Sequence, residues 1–405
     1  MDGASIIEQL MTTEGRLDPY PLYARAHELG EAAPAGPGAV LVVGHAAANQ
    51  VLRNPAFARE ETGTPSDDRA ELFAHPSVAL FGRSILERDA PDHGRVRSLI
   101  ASAFNARRVA ALRPAIEATV ERLLDELADR GAGGSPVDFM DAFAFRLPVE
   151  VICELLGIPA ADRHRFRGLA SDLTIALELI QDLGELAAAD VAAIELSAYF
   201  EELTAERLAR PTGDLVSDLA RIAADSPDRI SGEELLSNLA LLLVAGFETT
   251  TNLLGNGLAL LFRHPEAAEG LRTGAFDPSL FVDEVLRYDS PVQLTSRIST
   301  APDLTVAGVP APTGTVVLTL LGAANHDPAR YPRPDRFDPT RTDSQPLSFG
   351  GGPHFCLGSQ LARLEGEIAV PALLDRFPRL APAGIPTRRD RLVLRGYETL
   401  PITVR

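Results

Sequence analysis

Two cysteines occur in this chain, in opposite settings. Cys356 stands in "FGGGPHFCLG", where three glycines let the backbone turn tightly and approach a flat ligand. A helix expected from Leu357 onward would point its positive end at the sulfur, which favours a thiolate. A thiolate serves as a nucleophile, a zinc ligand or the axial ligand of a haem iron. Zinc is disfavoured, because it wants several nitrogen or sulfur ligands and there is no CxxC spacing. His354 lies two residues from the sulfur, yet a nucleophile usually draws its base from elsewhere in the fold. Cys153, in "LPVEVICELLGI", reads as a buried structural thiol.

Three further clusters carry polar chemistry. In "AGFETTTN", Gly246 weakens a helix, while Glu248, Thr249, Thr250, Thr251 and Asn252 bring polar groups into an otherwise apolar rod. In "DEVLRY", Glu284 and Arg287 at i, i+3 form a paired charge, which taken alone is an ordinary surface pair. In "DAPDHGRVR", His93 and Arg97 at i, i+4 follow a helix start opened by Pro91, so both can reach one anion. Taken alone, they too are an ordinary helix face.

Helices must position these groups. Apolar residues recur at i, i+3, i+4 from about Pro19 to Arg263, including one long stretch across 172–209. One helix stands out: Ser231 and Glu234 have capping-box spacing, and no proline follows until Pro265. Thirty or so residues make a rod about 50 Å long, enough to cross a core. Strand signals are short: "AVLVVG", "LTVAGVPAPTGTVVLTL" and "DRLVLRG". Between His326 and Ser348 the chain is irregular, with Tyr331 and Phe337 as packing anchors. The expectation is a mainly α fold with small peripheral β-sheets, in one domain spanning residues 1–405, since no repeat or long linker divides it.

Composition narrows the function. The 405 residues are 45% hydrophobic and carry a formal charge of −18, which argues against a nucleic-acid or acidic-membrane partner. All 38 basic residues are arginine. A Walker-type P-loop, a Schiff-base lysine and a Ser-Lys dyad are therefore excluded. The N-terminal stretch lacks the charge and apolar core of a signal peptide, and the uncharged run Leu235–Phe247 is too short for a membrane span. We expect a cytoplasmic monomer.

The order of His93/Arg97, "AGFET", Glu284/Arg287, Arg297 in "TSRIST" and Phe349 to Gly358 resembles the soluble bacterial haem-thiolate monooxygenases, the cytochrome P450 superfamily. The cysteine loop matches Phe-x-x-Gly-x-His-x-Cys-x-Gly at Phe349, Gly352, His354, Cys356 and Gly358. The long helix matches Ala/Gly-Gly-x-Asp/Glu-Thr-Thr from Ala245 to Thr250, and Glu284 with Arg287 matches Glu-x-x-Arg. The likeness runs from "DPYPLY" to "LPITVR".

This resemblance implies a P450 fold whose long central helix crosses over haem b, iron protoporphyrin IX. It implies Cys356 as the axial iron ligand, and a haem site with His93, Arg97, Ala245, Gly246, Arg297, Phe349, Gly350, His354 and Gly358. His93, Arg97, Arg297 and His354 match positions that hold the propionates. Glu284, Arg287 and Arg336 of "PDRF" look like a structural triad. Thr249 and Glu248 match the pair that brings protons to dioxygen, with Gly246 making room for it. That acid–threonine pair separates the chain from peroxide-using relatives, which carry an Arg–Pro pair. Electrons would come from NAD(P)H through a separate ferredoxin and reductase, with Arg107, Arg108 and Arg363 as a positive docking patch.

By the same likeness a substrate pocket draws on Leu242, Ala245, Val292, Leu294 and Thr399, with the segments from Glu61 to Leu86 and from Leu173 to Leu183. Its apolar character fits a hydrophobic small molecule, a secondary-metabolite intermediate such as a polyketide, macrolide, terpenoid or peptide. The competing reading is a haem-binding sensor or recruitment scaffold without turnover, which would have no use for the relay. His326 and Ser299 depart from the family pattern, where arginine and alanine are usual.

Overall fold

A computed structural model describes residues 2–59 and 67–404. Residues 61–66 of the expected pocket segment from Glu61 lie outside the described residues. Among the described residues helices dominate and four small sheets accompany them, as the sequence pattern requires. The packing gathers the chain into two compact units. One unit comprises residues 2–59, 120–144 and 249–404, and the other 67–119 and 145–248. Each is assembled from segments distant in sequence, so no linker marks a boundary.

The first unit is built on a five-stranded sheet. Its strands are β1 (Ala32–Pro34), β2 (Ala39–Val42), β3 (Phe57–Ala58), β4 (Leu294–Ser299) and β5 (Val316–Leu320). Their spatial order is β1-β2-β5-β4-β3, with β2 and β5 parallel and the other pairs antiparallel. Val40, Val42 and Val317 are β-branched and pack with Ala48 and Val51 of helix His45–Arg53, with Phe57 and with Leu347. This core fixes β4, which carries Arg297.

Near the C-terminus the strands are Tyr397–Thr399 and Pro401–Thr403, and "DRLVLRG" contributes only a bridge from Leu394 to Val292. Leu392, Val393 and Leu394 are all buried, so this apolar run has no solvent-facing side and does not alternate as a strand would. The segment between Ala324 and Leu347 has neither helix nor strand. Its anchors are as expected: Tyr331 is 1% exposed, and the Phe337 ring meets Phe281 at 6.0 Å and Tyr288 at 5.5 Å.

In the second unit, the helical stretch expected across 172–209 is interrupted. Helix Phe166–Leu173 gives way to a 3-10 turn at Thr174–Leu177, and a second turn at Leu183–Leu186 precedes helix Ala187–Ala209. Asp182 explains the restart: its carboxylate accepts from Gly184 N at 2.7 Å, and Glu185 accepts in return from Asp182 N at 3.0 Å.

The long helix spans Gly232–Arg263, 32 residues. Its capping box forms as the spacing predicts, with Glu234 N donating to Ser231 Oγ at 3.2 Å and Ser231 N donating to Glu234 Oε2 at 2.8 Å. Among the described residues, no helix is long and apolar enough to cross a membrane.

Candidate active site

The cysteine loop belongs to the first unit. Gly350 (φ 69°) and Gly352 (φ 64°) adopt left-handed backbone that side chains rarely tolerate. At Gly352 a Cβ would lie 2.4 Å from the Leu52 carbonyl oxygen, so helix His45–Arg53 and the loop meet backbone to backbone. Cys356 N donates to Phe349 O at 3.0 Å, which closes the turn. Helix Ser359–Arg376 then opens at Gly358, two residues later than expected, and Cys356 precedes its positive end. The Cys356 side chain is exposed, whereas Cys153 is buried and its thiol is pushed up to about 12 by burial. Burial thus keeps Cys153 a protonated structural thiol.

Arg363, expected in a docking patch, donates Nε to Asp283 at 2.8 Å, and its guanidinium lies 4.6 Å from the Phe349 ring centre. It supports the cysteine loop. His354 ends the 3-10 turn Gly352–His354 and is half-buried.

Arg297 is 5% exposed on β4, and its Nη1 donates to Ser296 O at 2.7 Å and Thr295 Oγ1 at 3.2 Å. Arg59 donates to the same two acceptors, at 3.0 and 3.2 Å. Sequence reading missed Arg59, because nothing in "FAREE" signals that β3 will pair with β4 and bring it there. Thr249 is half-buried on the long helix, and Thr250, Thr251 and Asn252 are buried.

In the second unit, His93 is 5% exposed on helix Asp92–Ala101 and Arg97 is half-buried one turn on. Between them, Arg95 binds Glu234 Oε1 at 2.6 Å and Asp92 Oδ1 at 2.8 Å, which ties this helix to the capping box of the long one. Arg95 was also missed, since its partner is 139 residues away. Leu242 is buried, Ala245 is exposed, Gly246 is half-buried and Glu248 is 2% exposed. An exposed alanine midway along an apolar helix marks a face turned away from core packing. At Gly246 the space a Cβ would need is held by Ile152, whose Cγ1 would be 2.5 Å away. Glycine there serves close packing.

Glu284 and Arg287 are 0% exposed and joined bidentately, at 2.8 and 2.7 Å. The surface-pair reading fails. Arg287 also donates to the carbonyls of Asn325, Pro334 and Arg336, satisfying backbone that has no ladder of its own. The third member differs from expectation: the Arg336 side chain is exposed and contributes only that carbonyl. Arg341 supplies the second guanidinium, with Nε 3.4 Å from Glu284 Oε1, and Asp338 N donates to the same oxygen at 2.8 Å.

Both departures from the family pattern have local reasons. Ser299 Oγ donates to Pro312 O and accepts from Thr315 N. His326 packs on Tyr20 and Tyr288, with ring centres 4.8 and 5.4 Å away, and burial together with Arg287 pushes its pKa down to about 4. Of the remaining expected pocket residues in the first unit, Leu294 is buried on β4, Val292 is half-buried beside it, and Thr399 pairs with Thr387.

A family model described as Cytochrome P450 matches residues 279–395. The chain is 38% identical over 398 residues to Vitamin D(3) 25-hydroxylase of Pseudonocardia autotrophica, covering 96% of this chain and 94% of that protein. It is 36% identical over 410 residues to 6-deoxyerythronolide B hydroxylase of Saccharopolyspora erythraea, covering 98% of each. The ligand-free crystal structure of Mycobacterium smegmatis CYP164A2 superposes with a TM-score of 0.89 at 36% identity, over 99% of this chain and 100% of that one. The chain belongs to the cytochrome P450 family and is a P450 monooxygenase.

The family's prosthetic group is protoporphyrin IX haem. The residues present fit it on three observations. An exposed cysteine stands before the positive end of an 18-residue helix. The Gly352 backbone approach leaves the loop no room for a side chain there. The unit that holds the loop also supplies basic groups suited to carboxylates, Arg297 and His354.

Proposed function

We propose that this monooxygenase hydroxylates a hydrophobic secondary-metabolite intermediate, using electrons passed from NAD(P)H through a ferredoxin reductase and a ferredoxin. The observation that carries this reading is the near full-length likeness to two relatives whose names are hydroxylases, together with apolar Leu242, Val292 and Leu294 among the expected pocket residues. Haem bound through a thiolate supplies an electron-rich iron that activates dioxygen.

The chain's own residues have these roles. Cys356 gives the thiolate, and its amide, spent on Phe349 O, holds the loop closed. His93, Arg97, Arg297 and His354 pair with the propionates. Glu248, 2% exposed, helps relay protons from solvent through water, and the Thr249 hydroxyl hydrogen-bonds the oxygen being reduced. Arg107 and Arg108, both exposed, attract an acidic ferredoxin.

A ferrous–CO difference spectrum tests the ligand: a strongly red-shifted Soret band that Cys356→Ala abolishes is expected. A spin-state screen across natural-product intermediates tests the substrate class. Thr249→Ala should leave NADPH consumption running while product falls and peroxide rises; unchanged coupling removes Thr249 from the relay.

A further inference from the structure

A second cavity lies wholly within the first unit and contains none of the residues assigned above to haem or substrate. Its volume is about 470 Å³, within the range of about 300–1,000 Å³ usual for small-molecule sites. One wall is aromatic. The rings of Tyr20 and Tyr288 lie nearly parallel, at 22° with centres 6.5 Å apart, and the His326 ring packs against both. His326 Nδ1 faces the Gly322 carbonyl at 3.0 Å, and burial keeps the ring neutral, so this wall is uncharged near pH 7.

The rest of the lining is cationic, with Arg395 lying 5.2 Å over the Tyr20 ring. Asp289 is 1% exposed and accepts from Arg388 at 2.6 Å, from Arg395 at 2.8 Å and from the Tyr20 hydroxyl at 2.9 Å. These guanidiniums hold its carboxyl well below the usual carboxylate range. A third guanidinium, Arg263, stands 3.8 Å from the same carboxylate, beyond hydrogen-bond reach. Three cations thus surround one anion, which accepts hydrogen bonds from two of them and from Tyr20. Arg395 Nη1 donates to the carbonyls of Arg16 and Leu17, and Arg388 Nη1 bonds Asn256. Arg263 hydrogen-bonds only through Nε, to Ala259 O at 3.4 Å; its Nη2 ion-pairs with Asp289, and neither Nη group hydrogen-bonds a described residue. Its side chain is 52% exposed at the cavity mouth. Asp18 and Asp335, the other acids lining the cavity, are exposed, where solvent screens them.

We propose that this cavity binds a small aromatic carboxylate, its ring against Tyr20, Tyr288 and His326 and its carboxylate on the Nη groups of Arg263. The chemistry follows from this lining. A guanidinium with two vacant parallel donors matches a carboxylate bidentately, and a neutral aromatic wall favours a flat apolar body. A cationic ligand would face three guanidiniums, and an aliphatic acid would leave the stacked rings unused.

The test is calorimetric titration of the holoenzyme with 2-naphthoate, with imidazole saturating the haem iron so that binding at the catalytic site is suppressed. The neutral 2-naphthylmethanol and the cationic 2-naphthylmethylamine serve as comparisons. Naphthoate should bind at least tenfold more tightly than either, without a change in the Soret spectrum. Arg263→Gln should weaken naphthoate at least tenfold, and Arg263→Lys should recover part of the loss. Arg263 is exposed, so both variants should keep the wild-type CO difference spectrum and melting temperature. Equal affinity for the three probes, unchanged naphthoate binding in Arg263→Gln, or heat that vanishes when imidazole is present would each overturn the proposal.

Discussion

Replacing Glu284 by glutamine keeps the volume of a fully buried side chain while removing its charge, so lost packing does not enter the cost. The carboxylate accepts from Arg287 Nε and Nη2, from Asp338 N and from Arg341 Nε, at 2.8, 2.7, 2.8 and 3.4 Å. Glutamine leaves the Arg287 guanidinium, also 0% exposed, uncompensated by charge and turns an amide NH2 toward donors. Breaking a buried pair by removing one partner costs about 3–5 kcal/mol. That is a large part of a typical folding free energy of about 5–15 kcal/mol. With a denaturant slope of about 3 kcal/mol per M, the urea midpoint should fall by roughly 1 M or more. Soret absorbance of the holoenzyme during urea unfolding reads it. Arg336→Ala is the companion variant: it keeps the carbonyl that Arg287 uses and removes only an exposed side chain, so its cost should stay within about 0.5 kcal/mol. A Glu284→Gln cost below about 1 kcal/mol, or an Arg336→Ala cost equal to it, would refute the assignment of this network.

Three other outcomes are expected. Gly352→Ala, at φ 64° with a Cβ 2.4 Å from Leu52 O, should cost about 1–3 kcal/mol and speed haem loss, measured by transfer to an apoprotein acceptor; normal retention would show that the loop moves freely. His326 titrates at about 4 in the folded chain and near 6.5 unfolded, so the unfolded state takes the proton first and stability should decline as pH falls from about 6.5 toward 4. His326→Gln should flatten that slope in urea midpoints taken across the range, and parallel profiles would contradict it. Charge reversal of Arg107 and Arg108 to glutamate should lower ferredoxin-supported turnover most at low salt, while an identical salt dependence in the wild type would remove these residues from docking.

Much of the site was legible because its signals are local. Cys356 with its glycines, the Ser231/Glu234 box and the Glu284/Arg287 spacing each depend on residues within a few positions, where backbone geometry is the same in any fold. Whether the Glu284/Arg287 pair was surface or core was not legible, since i, i+3 spacing is identical in both cases and only burial separates them. Local reading also misassigned "DRLVLRG", because an apolar run has the same composition in a strand and in an irregular buried segment.

The amino-acid sequence by itself determined the helical class, the long rod and its cap, the glycine-rich cysteine loop and the order of motifs, all of which follow from periodicity and turn chemistry along the chain. Tertiary structure alone decided that Arg341 and not Arg336 stands at Glu284, that Arg59 joins Arg297, that Arg95 reaches Glu234, and that three arginines enclose Asp289. The physical reason is the same each time. A long charged side chain takes whichever partner the packing of remote segments brings within about 4 Å, and that distance is set by pairings across tens to hundreds of residues that leave no mark in either neighbourhood.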